Sequence, residues 1–191
     1  NSSSGVLTFA SAPDYETKSS YSATVSVSDG TNTSTQNVTV DINNLNDNTP
    51  NISSSSSFSV DENETAIGTV TATDADGDSL TYSISGSEIN INSSTGVMTF
   101  ASAPDYETKS SYSATVTASD GANSTTQAIT VNINNLNDNA PSFTSNATFT
   151  ADENQTSIGT VKATDAEGDD ITFSISGSEI NINSSTGVMT F

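Results

Sequence analysis

Apolar and polar residues alternate at period two along several stretches of the chain. Leu80, Tyr82 and Ile84 do so, then Tyr112, Ala114, Val116 and Ala118, then Ile129, Val131 and Ile133. This alternation predicts strands with one face buried and one wet. Shorter runs at Phe58–Val60, Ile67–Ala72, Ile89–Ile91 and Val97–Phe100 predict further strands. Turn signals separate them: Asp76-Gly77-Asp78, Ser85-Gly86-Ser87, Thr95-Gly96 and Asp120-Gly121. No stretch has the 3.6-residue period of a helix. About seven short strands in some ninety residues predict an all-β, immunoglobulin-like sandwich.

The pattern recurs. Gly5 returns as Gly96 and Gly187, and Asp47 as Asp138, a period of 91 residues. Residues 84–100 reappear unchanged at 175–191, and 10–25 at 101–116. A unit this long is a domain that can bury its own core, not a solenoid rung. The boundary falls at Asn46-Asp47-Asn48-Thr49-Pro50 and again at Asn137-Asp138-Asn139-Ala140-Pro141. Residues 51–141 then form one complete repeat, 1–50 the C-terminal half of a preceding one, and 142–191 the N-terminal half of a following one. The two halves are complementary. They are compatible with a window on a longer polymer, with head-to-tail strand exchange between chains, or with frayed ends.

Composition changes the picture in two ways. Only 31% of the chain is hydrophobic and Trp is absent, which by itself leans toward disorder. The alternation outweighs it, because a low-complexity chain would not keep that period. Charge is the stronger signal: 23 acidic residues against three Lys or Arg leave a net charge of −20. Nucleic acid and anionic membrane surfaces are thereby disfavoured as partners, since both require cationic patches, and no apolar run predicts membrane insertion. The chain has no Cys, so disulfides do not staple it. An exported bacterial protein that uses metal in their place fits.

The acids fall in recurring motifs. Asp61-Glu62-Asn63 matches Asp152-Glu153-Asn154, and Pro104-Asp105-Tyr106-Glu107 matches Pro13-Asp14-Tyr15-Glu16. Asp74-Ala75-Asp76 matches Asp165-Ala166-Glu167, and the boundary motif carries Asp47 or Asp138. Clustered oxygen donors with neither His nor Cys suit Ca2+, which takes six to eight oxygens. Turn and cap chemistry explains any single one of these acids, but not the recurring set. Asp74–Asp78 begins like an EF-hand loop, yet it lacks the closing Glu and flanking helices.

In this order the motifs resemble the cadherin repeat, and in particular the short bacterial cadherin-like domains. The resemblance implies tandem Greek-key sandwiches with calcium at the inter-domain junctions. Carried over, the first junction uses Asp14, Glu16, Asp47 and the main chain of Asn46 and Asn48, with Asp74, Asp76 and Asp120 from the next repeat. The second uses Glu62, Asp105, Glu107, Asp138 and the main chain of Asn137 and Asn139, with Asp165 and Glu167 beyond. Asn44 and Asn135 stand where the family's linker opens with Asp, and Glu167 where it has a second Asp. Each junction is one carboxylate short, and Glu153 is placed to complete the first junction of another molecule.

Enzyme chemistry is the weakest class, because identical acid sets repeating at linkers suit scaffolding better than a unique cleft. The expected function is a calcium-stiffened structural repeat of an extracellular bacterial stalk, fibre or adhesin. The alternative is an adhesive module that binds like repeats or polysaccharide, for which Tyr15, Tyr82 and Tyr106 are candidate platforms. Neighbouring identical repeats, including head-to-tail chains in a filament, are the expected partners.

Overall fold

A computed structural model describes residues 4–191, and these contain strands, turns and no helix. The region before the first linker is a hairpin of β1 (Ser20–Ser28) and β2 (Thr33–Asp41). It pairs without interruption from Ser20↔Asp41 to Ser28↔Thr33. The next repeat contributes β3 (Asn51–Ile52), β4 (Ser57–Asp61), β5 (Ala66–Thr69), β6 (Ala72–Thr73) and β7 (Thr81–Ile84). It continues with β8 (Ile89–Ile91), β9 (Val97–Phe100), β10 (Ser111–Ser119) and β11 (Ser124–Asn134). Beyond the second linker lie β12 (Ser142–Phe143), β13 (Ser157–Thr160), β14 (Ala163–Thr164), β15 (Asn181–Ile182) and β16 (Val188–Thr190).

In the central repeat one sheet has the order β4-β11-β10-β7, a second β5-β9-β8, and β3 pairs with β6. The first two sheets are antiparallel where their registers are given, as in Val116↔Ile84 and Ile89↔Phe100. Each run of alternation predicted from the sequence becomes a strand, with one difference. The run Ile67–Ala72 breaks after Thr69, so that β5 joins β9 while β6 crosses to β3. Val70 sits at the break, 1% exposed, and its N–H donates to Gly96 O at 2.9 Å. Gly96 itself has φ +70°, and a Cβ there would collide with the Val70 carbonyl. Only glycine fits that close approach.

Contacts gather the chain into two compact units. One comprises the chain up to Phe58 with Ile67–Ala101 and Ser113–Thr130; the other comprises Ser59–Ala66, Ser102–Tyr112 and Val131–Phe191. Each unit contains one linker whole. The core of the first is Ile67, Val70, Ile89, Met98, Phe100, Val116, Ala118 and Ile129. Val60, Pro104, Val131, Ile133 and Met189 are buried apolar side chains of the second.

Identical sequence does not give identical burial. Val116 is 0% exposed, whereas its repeat counterpart Val25 is 38% exposed. Thr172–Ile175, the counterpart of β7, forms no strand. A strand needs a neighbour to take its backbone N–H and C=O groups, and β7 has β10 for that.

Candidate metal centres at the two linkers

The first linker runs past the Asp74–Asp78 turn and the Asp120–Asn123 turn, all within the first compact unit. Asp76 holds the linker. Its Oδ2 accepts the N–H of Asp47 at 3.1 Å and of Asn48 at 2.9 Å, and its Oδ1 accepts Asn48 Nδ2 at 2.9 Å. Asn44 Nδ2 donates to the Asp76 carbonyl at 2.8 Å. The departure from Asp at Asn44 therefore serves a contact that needs a donor. Carboxylate oxygens of Glu16, Asp47 and Asp76 lie within 4.8 Å of one another, as do those of Asp74, Asp76 and Asp78. The Asn48 amide, before all else, holds the Asp76 carboxyl below the ordinary Asp value.

Asp74 and Asp120 share a design. Asp74 Oδ1 accepts the N–H groups of Asp76 and Asp78, and Asp120 Oδ1 those of Ala122 and Asn123. Each is a turn in which one oxygen secures the backbone. The other oxygen, Asp74 Oδ2 or Asp120 Oδ2, is buried without a partner. Asp14 is different: its oxygens go to Glu16 N–H, Thr17 N–H and the Thr17 hydroxyl. That local cap lowers its pKa, the Thr17 hydroxyl contributing most and a contact with the Glu16 carboxyl next; Asp14 is not among the acidic groups whose oxygens lie within 4.8 Å of one another. Asn46 is placed by side-chain contacts: its Nδ2 donates to Asp120 O and its Oδ1 accepts from Asn123.

The second linker lies within the second unit. Glu62 is 1% exposed and is the one buried charged side chain among the described residues. The turn that carries it ends in Asn63, whose φ of 67° is a left-handed conformation that Asn tolerates better than most residues. Asn63 N–H donates to Pro104 O at 2.9 Å, and its Nδ2 donates to Asp138 Oδ2. Glu62 Oε2 accepts Tyr106 N–H at 2.8 Å and Oε1 accepts Leu136 N–H at 2.7 Å. Oxygens of Glu62, Glu107 and Asp138 come within 4.8 Å of one another. Burial raises the Glu107 carboxyl above the ordinary Glu value; its own N–H opposes this, and the charges of Glu62, Glu167 and Asp105 add to it.

Asn139 is the counterpart of Asn48. Its N–H and Nδ2 both go to Glu167 Oε1, while Nδ2 also reaches Asp138 Oδ1 at 2.9 Å and Glu107 Oε2 at 3.5 Å. Glu167 Oε2 is buried and unpartnered. Asp165 Oδ1 accepts the N–H groups of Glu167 and Asp169. Asp105 makes the Thr108 cap that Asp14 makes with Thr17. Asn137 and Glu153 are exposed and outside the acidic groups.

One difference between the linkers is a cleft. At the first, Pro13, Tyr15, Glu16, Leu45 and Asp47 line an open depression. Their counterparts at the second include Tyr106 and Leu136, whose N–H groups clasp Glu62. Sequence reasoning missed Asp78, Asn63 and Asn123. Asp78 was visible in Asp74–Asp78; the two Asn amides carried no signal beyond their place beside a motif acid.

The residues fit an oxygen-binding cation. Among the described residues, three of the five buried unpartnered side-chain atoms are carboxylate oxygens at these linkers, and the hydrogen bonds to the linker acids given above come from neutral N–H and O–H groups. The ammonium groups of Lys18 and Lys109 lie over the rings of Tyr21 and Tyr112. Tyr15 and Tyr106 are partly exposed; the Tyr82 hydroxyl is engaged by Ala72 N–H at 3.1 Å.

The family profile for the cadherin domain matches residues 56–134. A mouse cadherin-23 EC22–24 structure is 25% identical, with a TM-score of 0.71 over 93% of this chain and 65% of that one. A human CDH23 EC21–23 structure is 23% identical, with a TM-score of 0.75 over 93% and 65%. The protocadherin gammaB7 EC3–6 cis-dimer structure is 23% identical, with a TM-score of 0.74 over 94% and 52%. This chain thus spans between about half and two-thirds of the length of these structures. Comparison with curated proteins finds no match. Residues 56–134 thus match the cadherin domain, and the chain shares the all-β, immunoglobulin-like sandwich fold of cadherin extracellular repeats.

Proposed function

We propose that the chain is a non-catalytic, calcium-stiffened part of an extracellular array, in which residues 1–50, 51–141 and 142–191 belong to successive repeats. The observation that carries this reading is the set of buried carboxylate oxygens without partners: Asp74 Oδ2, Asp120 Oδ2 and Glu167 Oε2. A desolvated anionic oxygen is costly unless a cation or donor meets it. Glu16, Asp47, Asp74, Asp76, Asp78 and Asp120 would hold calcium at the first linker. Glu62, Glu107, Asp138, Asp165 and Glu167 would hold it at the second. The ion supplies charge neutralisation; the chain supplies turns that already fix the carboxylates. Extracellular calcium modules typically bind at about 0.1–1 mM, which matches a calcium-rich outside medium. No helix among the described residues is long and apolar enough to cross a membrane.

A bacterial surface stalk or filament suits near-identical repeats, since spacing tolerates duplication where recognition diversifies surfaces. An adhesive role through contact between like repeats is the second reading. It is favoured by the similarity to a protocadherin structure that is a cis-dimer. Small-angle scattering and limited proteolysis with calcium and with chelator test the first reading. Chelation should broaden the distribution of dimensions and open cleavage at the second linker, residues 134–141. Unchanged dimensions and cleavage would sink it.

A further inference from the structure

The turn between β10 and β11 reaches the first linker through a neutral side chain. Asp120 Oδ1 takes the N–H groups of Ala122 at 2.7 Å and Asn123 at 2.6 Å. The Asn123 carbonyl accepts Asp120 N–H at 3.2 Å and the Ser119 hydroxyl at 3.0 Å. Asn123 is therefore fixed at its backbone before its side chain does anything. Its Nδ2 then donates to Asn46 Oδ1 and to the Asn48 carbonyl, each at 3.1 Å. Asn46 Nδ2 returns a contact to the Asp120 carbonyl at 3.5 Å.

The same turn in the preceding repeat is the control. There Asp29 Oδ1 accepts Thr31 and Asn32 N–H, and Asn32 Nδ2 folds back onto Asp29 Oδ2 at 3.4 Å. Asn123 forgoes that local contact, leaves Asp120 Oδ2 without a partner, and spans to the linker instead. A primary amide presents two N–H groups and satisfies two oxygens at once. It needs no ion to do so.

We propose that Asn123 is a positioning residue that latches the first linker to the following repeat independently of metal. The joint then keeps its linker seated when calcium is withdrawn, and calcium adds to a joint already in register. This goes beyond the calcium reading and does not depend on it.

Amide hydrogen exchange of Asp47 and Asn48, whose N–H groups bond Asp76, reads the seating of the linker. It would be followed by NMR on the full chain for wild type, N123A and N123D, each in EDTA and in saturating calcium. Asn123→Asp keeps the side-chain shape and removes the donor. In EDTA both variants should exchange roughly tenfold faster at these two amides, the size of one to two net hydrogen bonds. Thr130 N–H on β11, bonded to Ser56 O, should not change and reports that the variants are folded. Wild-type rates for both variants in EDTA would overturn the proposal. So would equal acceleration at Thr130, which marks a general loss of structure. Failure of calcium to slow exchange in the wild type would count against the calcium reading alone, because the EDTA contrast still decides the latch.

Discussion

Replacing Glu62 by Gln tests the second linker at its most constrained atom. Glu62 is buried, and its two oxygens take the N–H groups of Tyr106 and Leu136. Gln keeps the shape but offers one oxygen and one NH2 group, so one of those N–H donors faces another donor. Losing a charge-assisted hydrogen bond costs roughly 1.5–3 kcal/mol. Without metal, that loss is opposed by relief of repulsion from the Glu107 and Asp138 carboxylates grouped with Glu62. With calcium the relief vanishes, because the ion has already neutralised the group and Gln removes a charged ligand. Outer-shell partners of metal sites are worth about 10–100-fold in affinity, and a ligand should cost at least the lower figure. At calcium equal to about 100 Kd, ligation stabilises the wild type by about 2.7 kcal/mol; a tenfold weaker site keeps about 1.4. For a chain of 191 residues, the difference is roughly 3–5 °C in Tm. The assay is the calcium-induced rise in Tm, wild type against E62Q, at fixed calcium and again in EDTA. An equal rise in both proteins would refute calcium ligation by Glu62.

Two further outcomes follow from the geometry. Gly96→Ala places a Cβ against the Val70 carbonyl at φ +70° and should destabilise the central repeat by roughly 2–4 kcal/mol in urea denaturation; a loss under 1 kcal/mol would mean the Val70–Gly96 approach is loose. For the metal-free protein, the raised Glu107 carboxyl favours the folded state fully below its unfolded value of 4.5, and that contribution fades as pH rises through the higher folded value. The lowered Asp76 and Asp105 contribute above 3.8 and lose that contribution as pH falls through their lower folded values. Thermal melts in chelator should show Tm rising from pH 7 toward the Glu range and falling again below pH 3.8.

Period-two alternation identified β7, β10 and β11 because each has one dry face. It failed at Ile67–Ala72, where the apolar or small positions Ile67, Gly68, Val70 and Ala72 hide a change of sheet at Val70. The reason for that break, a glycine 26 positions further on, is not local. At the linkers, motif order located the acids, since carboxylates recur visibly at the repeat period. It could not separate Asp14 and Asp105, whose oxygens are engaged by Thr17 and Thr108, from Asp74 and Asp120, which each keep one oxygen unpartnered. Both pairs are Asp in turns, and only geometry shows which turn leaves an oxygen over. The amides of Asn63 and Asn123 escaped notice because Asn is abundant throughout the chain and its reach depends on what the fold brings near.

The substitution of Glu167 for the Asp found at Asp76 gives the two linkers different metal-free chemistry. Asp76 spreads its donors, with two backbone N–H groups on Oδ2 and Asn48 Nδ2 on Oδ1. Glu167, one methylene longer, gathers both Asn139 donors on Oε1 and buries Oε2 with none. At this position the second linker therefore holds a desolvated oxygen that the first has already satisfied, so Glu167 should gain more from a cation than Asp76 does. Glu167→Asp restores the shorter reach and should let the carboxylate spread its donors as Asp76 does. One additional net hydrogen bond then raises Tm in EDTA by roughly 2–4 °C, while the further rise on adding calcium shrinks. Asp76→Glu should do the reverse at the first linker, lowering Tm in EDTA and enlarging the calcium increment. If E167D melts no higher than wild type in EDTA, the unpartnered Oε2 is not a source of instability, and the difference between the linkers lies elsewhere than at this carboxylate.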